Sequence, residues 1–180
     1  MLYTRKGDTG TSGLFGTAKR LSKDSPIYTA LGTLDELNSL LGLCRAHVGE
    51  KRGEKLDISK EVLNVQEVLF IAQAECAGAD KHVTQANIDA LEKVIGILED
   101  SFPNPRAFVI PGATELPAWF DYARTVCRRA ERESLQAART RPVNPLVHVY
   151  LNRLSDLLFI LARAANVDGD EPLWVPGGSR

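Results

Sequence analysis

The stretch NPLVHVYLNRLSDLLFILARAANV, Asn144 to Val167, decides the fold. Leu151, Leu154, Leu158 and Leu161 recur at steps of three and four residues, the spacing of one helical face. Asn144 is placed to cap the helix, and Pro145 stands at its first position, where a missing N–H costs nothing. Arg153, Asp156 and Arg163 interrupt the apolar run, which excludes a simple transmembrane helix. A helix this apolar needs other helices around it, and the rest of the chain is read with that demand in mind.

Pro142 separates it from a fourth helix that Thr114 can cap, with Glu115 near its start and Pro117 in the first turn; this helix is expected to run to about Thr140. Upstream, Pro103, Pro105 and Pro111 make the segment from Ser101 to Gly112 a loop or strap. Thr84 opens a third helix carried by Ile88, Leu91, Ile95 and Leu98. Asp57 caps a second, with Ile58, Val62, Val65, Leu69 and Ala72 at helical spacing, ending near Gly78. A first helix begins near Pro26, shows Leu34, Leu37, Leu41 and Cys44 on one stripe, and ends at Gly49. Residues 4–25 carry Gly7, Gly10, Gly13 and Gly16 and read as a mobile loop. The tail from Asp168 reads as irregular, and no strand pattern is convincing. The expected fold is all-α: a five-helix antiparallel bundle with an N-terminal glycine-rich loop. It forms one domain over 1–180, with the loop at 1–25, the bundle at 26–167 and the tail at 168–180.

The 180 residues carry a formal net charge of −1, so no global positive excess advertises a nucleic-acid partner. The three cysteines, Cys44, Cys76 and Cys127, fall in helical segments and form no C-x-x-C pair, which predicts buried free thiols. The first residues show neither an apolar core nor an Arg/Ser-rich leader. A cytoplasmic protein without a membrane partner is expected.

Four groups of residues do not look like core. In Thr4-Arg5-Lys6-Gly7-Asp8-Thr9-Gly10-Thr11-Ser12-Gly13, glycines let backbone N–H groups converge on an anion and hydroxyls add donors; Lys23 could reach the same anion. It is not a Walker A loop, and a glycine-rich N-terminus is also consistent with a plain flexible arm. Arg124, Arg128 and Arg132 repeat at four-residue steps with Glu131 beside them. That pattern suits a polyphosphate, a solvated face with local Arg–Glu pairs, or a nucleic-acid contact. Asn152 and Asp156 break the apolar face of the fifth helix and imply either a polar network to a neighbouring arginine or a ligand. Asp35 is similarly placed on the first helix. Phe108, in Phe108-Val109-Ile110-Pro111-Gly112, is an aromatic on a proline-bounded loop: a plug for the bundle, or a wall for a flat apolar ligand. His47, His82 and His148 lack the Glu-x-x-His spacing of di-iron bundles, and no Cys/His cluster suits zinc.

Tyr3 to Gly16, Leu31-Gly32-Thr33-Leu34-Asp35-Glu36-Leu37-Asn38-Ser39, Phe108 to Gly112, Ala123 to Arg132 and Tyr150 to Asp156 resemble, in order and spacing, five motifs of the PduO-type ATP:cob(I)alamin adenosyltransferases. Ala113 departs from that pattern, where a second glycine is usual. The resemblance implies a homotrimer with active sites between subunits, and substrates ATP (with Mg²⁺) and cobalamin. It implies that Thr4, Arg5, Lys6, Gly7, Gly10, Thr11 and Ser12 order around ATP, joined by Lys23, Arg128, Glu131, Arg132 and Asn152. It also implies an intersubunit pair of Asp35 with Arg124 near the corrinoid, Asp156 beside it, and Phe108 against the lower corrinoid face. Phe108, Arg124 and Arg128 are then the expected catalytic residues, and a reductase and an adenosylcobalamin-dependent enzyme are expected partners. Trp174 has the chemistry to help close a corrinoid site.

Overall fold

The computed structural model describes residues 3, 5–48, 56–100, 105, 107–166 and 172–174. Its body is five helices: α1 (Pro26–Val48), α2 (Ile58–Cys76), α3 (Gln85–Glu99), α4 (Glu115–Ala138) and α5 (Pro145–Ala164). The boundaries follow local chemistry. Asp57 accepts the Lys60 N–H at 3.1 Å at the start of α2, and Asn144 accepts the Leu146 N–H at 3.0 Å at the start of α5. At Thr84, Asn87 accepts from both the backbone N–H and the hydroxyl, each at 2.9 Å.

In space the helices follow the order α2, α1, α4, α5, α3, each packed on the next. Chain neighbours alternate in direction, so the odd-numbered helices run the same way. Asn144 bonds Val83 just before α3 and Arg153 reaches Glu92 within it, which makes α3 and α5 a parallel pair inside an otherwise antiparallel bundle. The stripes read from sequence point inward. Leu34, Leu37, Leu41 and Cys44 of α1, Val62, Val65, Leu69 and Ala72 of α2, and Leu151, Leu154, Leu158 and Leu161 of α5 are all buried. By length and composition α5 could cross a membrane, yet eleven of its residues are buried within the bundle. Helix α4 contributes a seam of small buried residues, Ala123, Cys127, Ala130, Ser134 and Ala137, which lets α1 and α5 approach it closely.

Two ion pairs brace these contacts. Arg129 of α4 pairs with Glu36 of α1. Arg163 of α5 pairs with Asp121 of α4 at 2.5 Å, and both side chains are buried. The thiols are free and buried as expected, and burial pushes Cys44 up to about 12, Cys76 up to about 11 and Cys127 higher still, leaving all three as inert packing groups.

The segment 4–25 and the tail depart from expectation. Short strands β1 (Thr11–Gly13) and β2 (Arg20–Ser22) form an antiparallel hairpin, with Ser12 opposite Leu21. Strands β3 (Phe108–Val109) and β4 (Leu173–Trp174) pair in the same sense. Pairs this short leave no periodic signature, and β3–β4 joins residues more than sixty positions apart. The first hairpin docks on the end of α2, where the Phe15 N–H donates to Ala77 O at 2.9 Å. There Ala77, Gly78 and Ala79 close the helix as a Schellman turn, with Gly78 N–H to Glu75 O and Ala79 N–H to Ala74 O, both 2.9 Å. Gly78 has φ 93°, and a Cβ on it would lie 3.0 Å from Phe15 O.

Gly78→Ala should therefore cost about 1–3 kcal/mol through the left-handed backbone alone, seen as a lower urea midpoint at unchanged slope. Asp121→Ala removes the carboxylate partner of a buried guanidinium and should cost about 3–5 kcal/mol, measured in the same way; loss of less than half that would show that the other contacts of Arg163 suffice to hold its charge.

Candidate active site

The N-terminal hairpin gathers the residues singled out from its sequence, except Thr4, which lies outside the described residues. Arg5 takes φ 57° and lays its guanidinium over the Tyr3 ring, 5.3 Å from the centroid. Tight turns follow, with Asp8 N–H to Arg5 O at 3.3 Å and Gly10 N–H to Gly7 O at 3.2 Å. Lys23 N–H donates to Gly10 O at 2.9 Å, and this brings the lysine back over the loop. Its Nζ lies 2.9 Å from where a Cβ on Gly7 would stand, so the lysine rests directly against the loop backbone there. Lys6, Gly7, Gly10, Thr11, Ser12 and Lys23 thus belong to one small unit, with glycine backbone, hydroxyls and an ammonium on hand for an anion. Sequence reading missed Arg20, whose side chain holds this loop from within; its position beside Lys19 in a polar run gave no signal of that.

A second set lies between α3, α4 and α5. A cleft of about 640 Å³ is lined by Arg124 and Arg128 from α4, by Arg153, Ser155 and Asp156 from α5, and by Glu92 and Ile95 from α3. Four-residue spacing puts Arg124 and Arg128 one above the other. Among the described residues neither has a carboxylate partner, in contrast to Arg129 on the α1 side. The Arg124 Nε is buried and has no acceptor among the described residues. Arg128 is exposed on this face, and the local Arg–Glu pairs that its sequence also allowed are not formed there among the described residues.

Asn152 donates to Glu131 at 3.5 Å, linking α5 to α4 beside the cleft, while Arg132 is exposed on the next turn. The polar stripe of α5 does form a network, but its arginine is its own. Arg153 donates to Glu92 at 2.8 Å and to Asn152 at 3.3 Å, and lies 3.8 Å from Asp156. Arg153 was legible within the motif Tyr150 to Asp156 yet carried no assigned role. Asp35 is exposed on α1, and within the chain the described residues show no ion pair between it and Arg124.

Phe108 is not a plug. It is 77% exposed, and Trp174, 52% exposed, stands against it edge-to-face with ring centroids 6.1 Å apart. Ile110 N–H donates to Pro172 O at 2.8 Å and completes this small ribbon. Ile110 and Leu173 are exposed beside the rings, so the ribbon offers an apolar surface at the end of the bundle, three residues from Pro105 at the cleft. The aromatic loop and the tail act together here, which sequence reading could not have paired.

Several chemistries lack their parts. Among the described residues no group of three or more His, Cys, Asp or Glu side chains could hold a metal ion. The histidines are locally engaged: His47 with Leu43 O, His82 with Glu75 and Asp80, His148 with Ser134. What remains is an anion-suited loop, an arginine-lined cleft and an exposed aromatic surface.

Comparison with known proteins agrees with that inventory. The family model described as Cobalamin adenosyltransferase matches residues 2–165. The corrinoid adenosyltransferase of Mycobacterium tuberculosis is 40% identical over 189 residues, spanning 99% of this chain and 95% of that protein. The corrinoid adenosyltransferase of Bacillus subtilis is 35% identical over 173 residues, spanning 92% and 86%. Among solved structures, a variant of the PduO-type ATP:corrinoid adenosyltransferase from Lactobacillus reuteri, complexed with cobalamin and ATP, superposes with a TM-score of 0.86 at 30% identity, covering 97% of this chain and 96% of that one. Matched by that family model over most of its length and by relatives at 35–40% identity across nearly all of it, the chain belongs to the cobalamin adenosyltransferase family.

Proposed function

We propose that this chain transfers the 5′-deoxyadenosyl group of ATP to the cobalt of cob(I)alamin, releasing triphosphate, with Arg124 and Arg128 at the centre of the site. The observation that carries this reading is that pair of guanidiniums, one helical turn apart, without carboxylate partners among the described residues, facing a 640 Å³ cleft. Cob(I)alamin is itself the nucleophile. Its lone pair attacks C5′, a Co–C bond forms, and the C5′–O bond breaks with its electrons leaving on triphosphate. No proton moves in that step, so the absence of a poised histidine in the cleft is no obstacle.

The protein's tasks are then positional and electrostatic. Arg128, Arg132 and the Gly7–Ser12 backbone would balance charge growing on the triphosphate, where each well-aimed donor acts without reorganising. Glu131 and Asn152 would orient the nucleoside beside them. Mg²⁺ enters with the nucleotide and would draw most of its ligands from phosphate oxygens and water. Phe108 would cover the lower face of the corrin, exclude water and the axial base, and so ease reduction of Co(II); a separate reductase supplies that electron. Thr4, Arg5, Lys6, Gly7, Gly10, Thr11, Ser12 and Lys23 would enclose ATP. The chain would work as one domain, loop 1–25, bundle 26–167 and tail 168–180.

The two halves of the site support assembly as a homotrimer with the active site completed by a neighbouring subunit. The hairpin is anchored on the end of α2, whereas the arginine cleft lies among α3, α4 and α5. Asp35, exposed on α1, and Arg124, which lines the cleft without an ion pair among the described residues, are complementary groups that a neighbouring subunit can bring together. The buried free thiols suit a cytoplasmic setting.

Turnover with ATP, Mg²⁺ and chemically reduced cobalamin should form light-sensitive adenosylcobalamin and triphosphate. Arg128→Ala should lower kcat by roughly 100-fold or more, the usual loss on removing one donor to a developing anion. Arg139→Ala, at the end of α4 away from the cleft, should stay within about twofold; equal losses in the two variants would remove Arg128 from the site. Phe108→Ala should abolish the four-coordinate Co(II) spectrum with little change in ATP affinity, and survival of that spectrum would end the role given to Phe108.

A further inference from the structure

Arg20 is exposed on β2, where an arginine ordinarily points into water or pairs with a carboxylate. Here its donors go to the N-terminal loop. Nη2 donates to Lys6 O and to Thr11 O, each at 2.7 Å, and Nε donates to the Thr11 hydroxyl at 3.0 Å. Three of the five guanidinium N–H groups are thereby spent on one loop. All three acceptors are uncharged, so the positive charge of Arg20 is not neutralised by them.

Because the peptide bond is trans and planar, a carbonyl and the following N–H point in opposite directions. By holding Lys6 O, Arg20 fixes the Gly7 N–H on the far side of the same peptide plane. The loop is tied again where Lys23 N–H bonds Gly10 O at 2.9 Å, and Lys23 Nζ rests against Gly7. Strand β2 therefore leads directly from the clamp, Arg20, to the ammonium, Lys23. Phe15, between β1 and β2, fastens the hairpin to the rigid end of α2.

We propose that Arg20 is a positioning residue for the nucleotide: it holds the Lys6–Thr11 loop in its anion-receiving shape before ATP arrives and adds a positive charge that its three loop acceptors do not neutralise, without itself spending donors on the phosphates. This rests on the reading that the loop takes ATP. Preorganisation of this kind acts on affinity, since a loop that is competent for only a fraction of the time weakens apparent binding by that fraction.

The test compares Arg20→Ala and Lys23→Ala in the full chain. For Arg20→Ala the Michaelis constant for ATP should rise about tenfold or more while kcat at saturating ATP changes less than about threefold, the pattern of lost uniform binding. The Michaelis constant for cobalamin and the thermal midpoint of the bundle should not move. Amide exchange in the ATP-free protein supplies a second readout: residues 6–12 and the Lys23 amide should exchange faster in Arg20→Ala, with α4 unchanged. A rise in the ATP constant with unchanged exchange overturns the proposal, because Arg20 would then be touching the nucleotide directly. If Lys23→Ala weakens ATP and Arg20→Ala does not, the positioning role fails and the nucleotide loop stands. If neither substitution moves ATP affinity, the loop reading falls, and the role of Arg20 with it.

Discussion

The structure depends on how closely α1 and α5 can approach α4. Ala123, Cys127, Ala130, Ser134 and Ala137 present almost no side-chain bulk along the buried face of α4, so the large residues of its neighbours supply the packing. Replacing any one of them with a larger residue would push a neighbouring helix outward. The same close approach makes Arg163–Asp121 a short buried pair and brings Glu131 within reach of Asn152. It also fixes which α4 side chains face outward, and the arginines are among them.

Helix α4 thus divides its charges by direction. Arg129, on the α1 side, is neutralised by Glu36. Arg124 and Arg128, on the α5 side, line a cleft and form no ion pair among the described residues, although Glu92, Glu99 and Asp156 line the same cleft. Burial on one face and an unsatisfied cationic edge on another are what a polyanionic substrate needs, because electrostatic stabilisation acts best where the groups are already fixed. The parallel pairing of α3 and α5 contributes to this edge: Arg153 donates to Glu92 at 2.8 Å across it and stands 3.8 Å from Asp156 on its own helix.

The parts proposed to handle substrates are held differently from the bundle. The hairpin rests on the Schellman turn of α2 through one backbone bond and a glycine that tolerates close approach, and its loop is braced internally by Arg20. The Phe108–Trp174 ribbon consists of two residue pairs and carries its apolar surface outward. Such small units contribute little to global stability and can adjust around a ligand at small cost, whereas the core cannot.

Much of the fold was legible in the chain itself. Helical periodicity marked all five helices, and Asp57, Thr84, Thr114 and Asn144 marked where four of them begin, because capping and amphipathic spacing are local properties. The four-residue rhythm of Arg124 and Arg128 was equally local, as was the crowding of glycines around Gly7 and Gly10. Tertiary structure alone decided the rest. That Arg129 is neutralised and Arg128 is not depends on which helix lies on each side of α4. That Phe108 meets Trp174 depends on a ribbon joining distant segments, and that Arg20 grips Lys6 and Thr11 depends on a hairpin too short to leave a pattern. These are pairings between residues far apart in sequence, and spacing along a chain records only which residues share a face, not what that face meets.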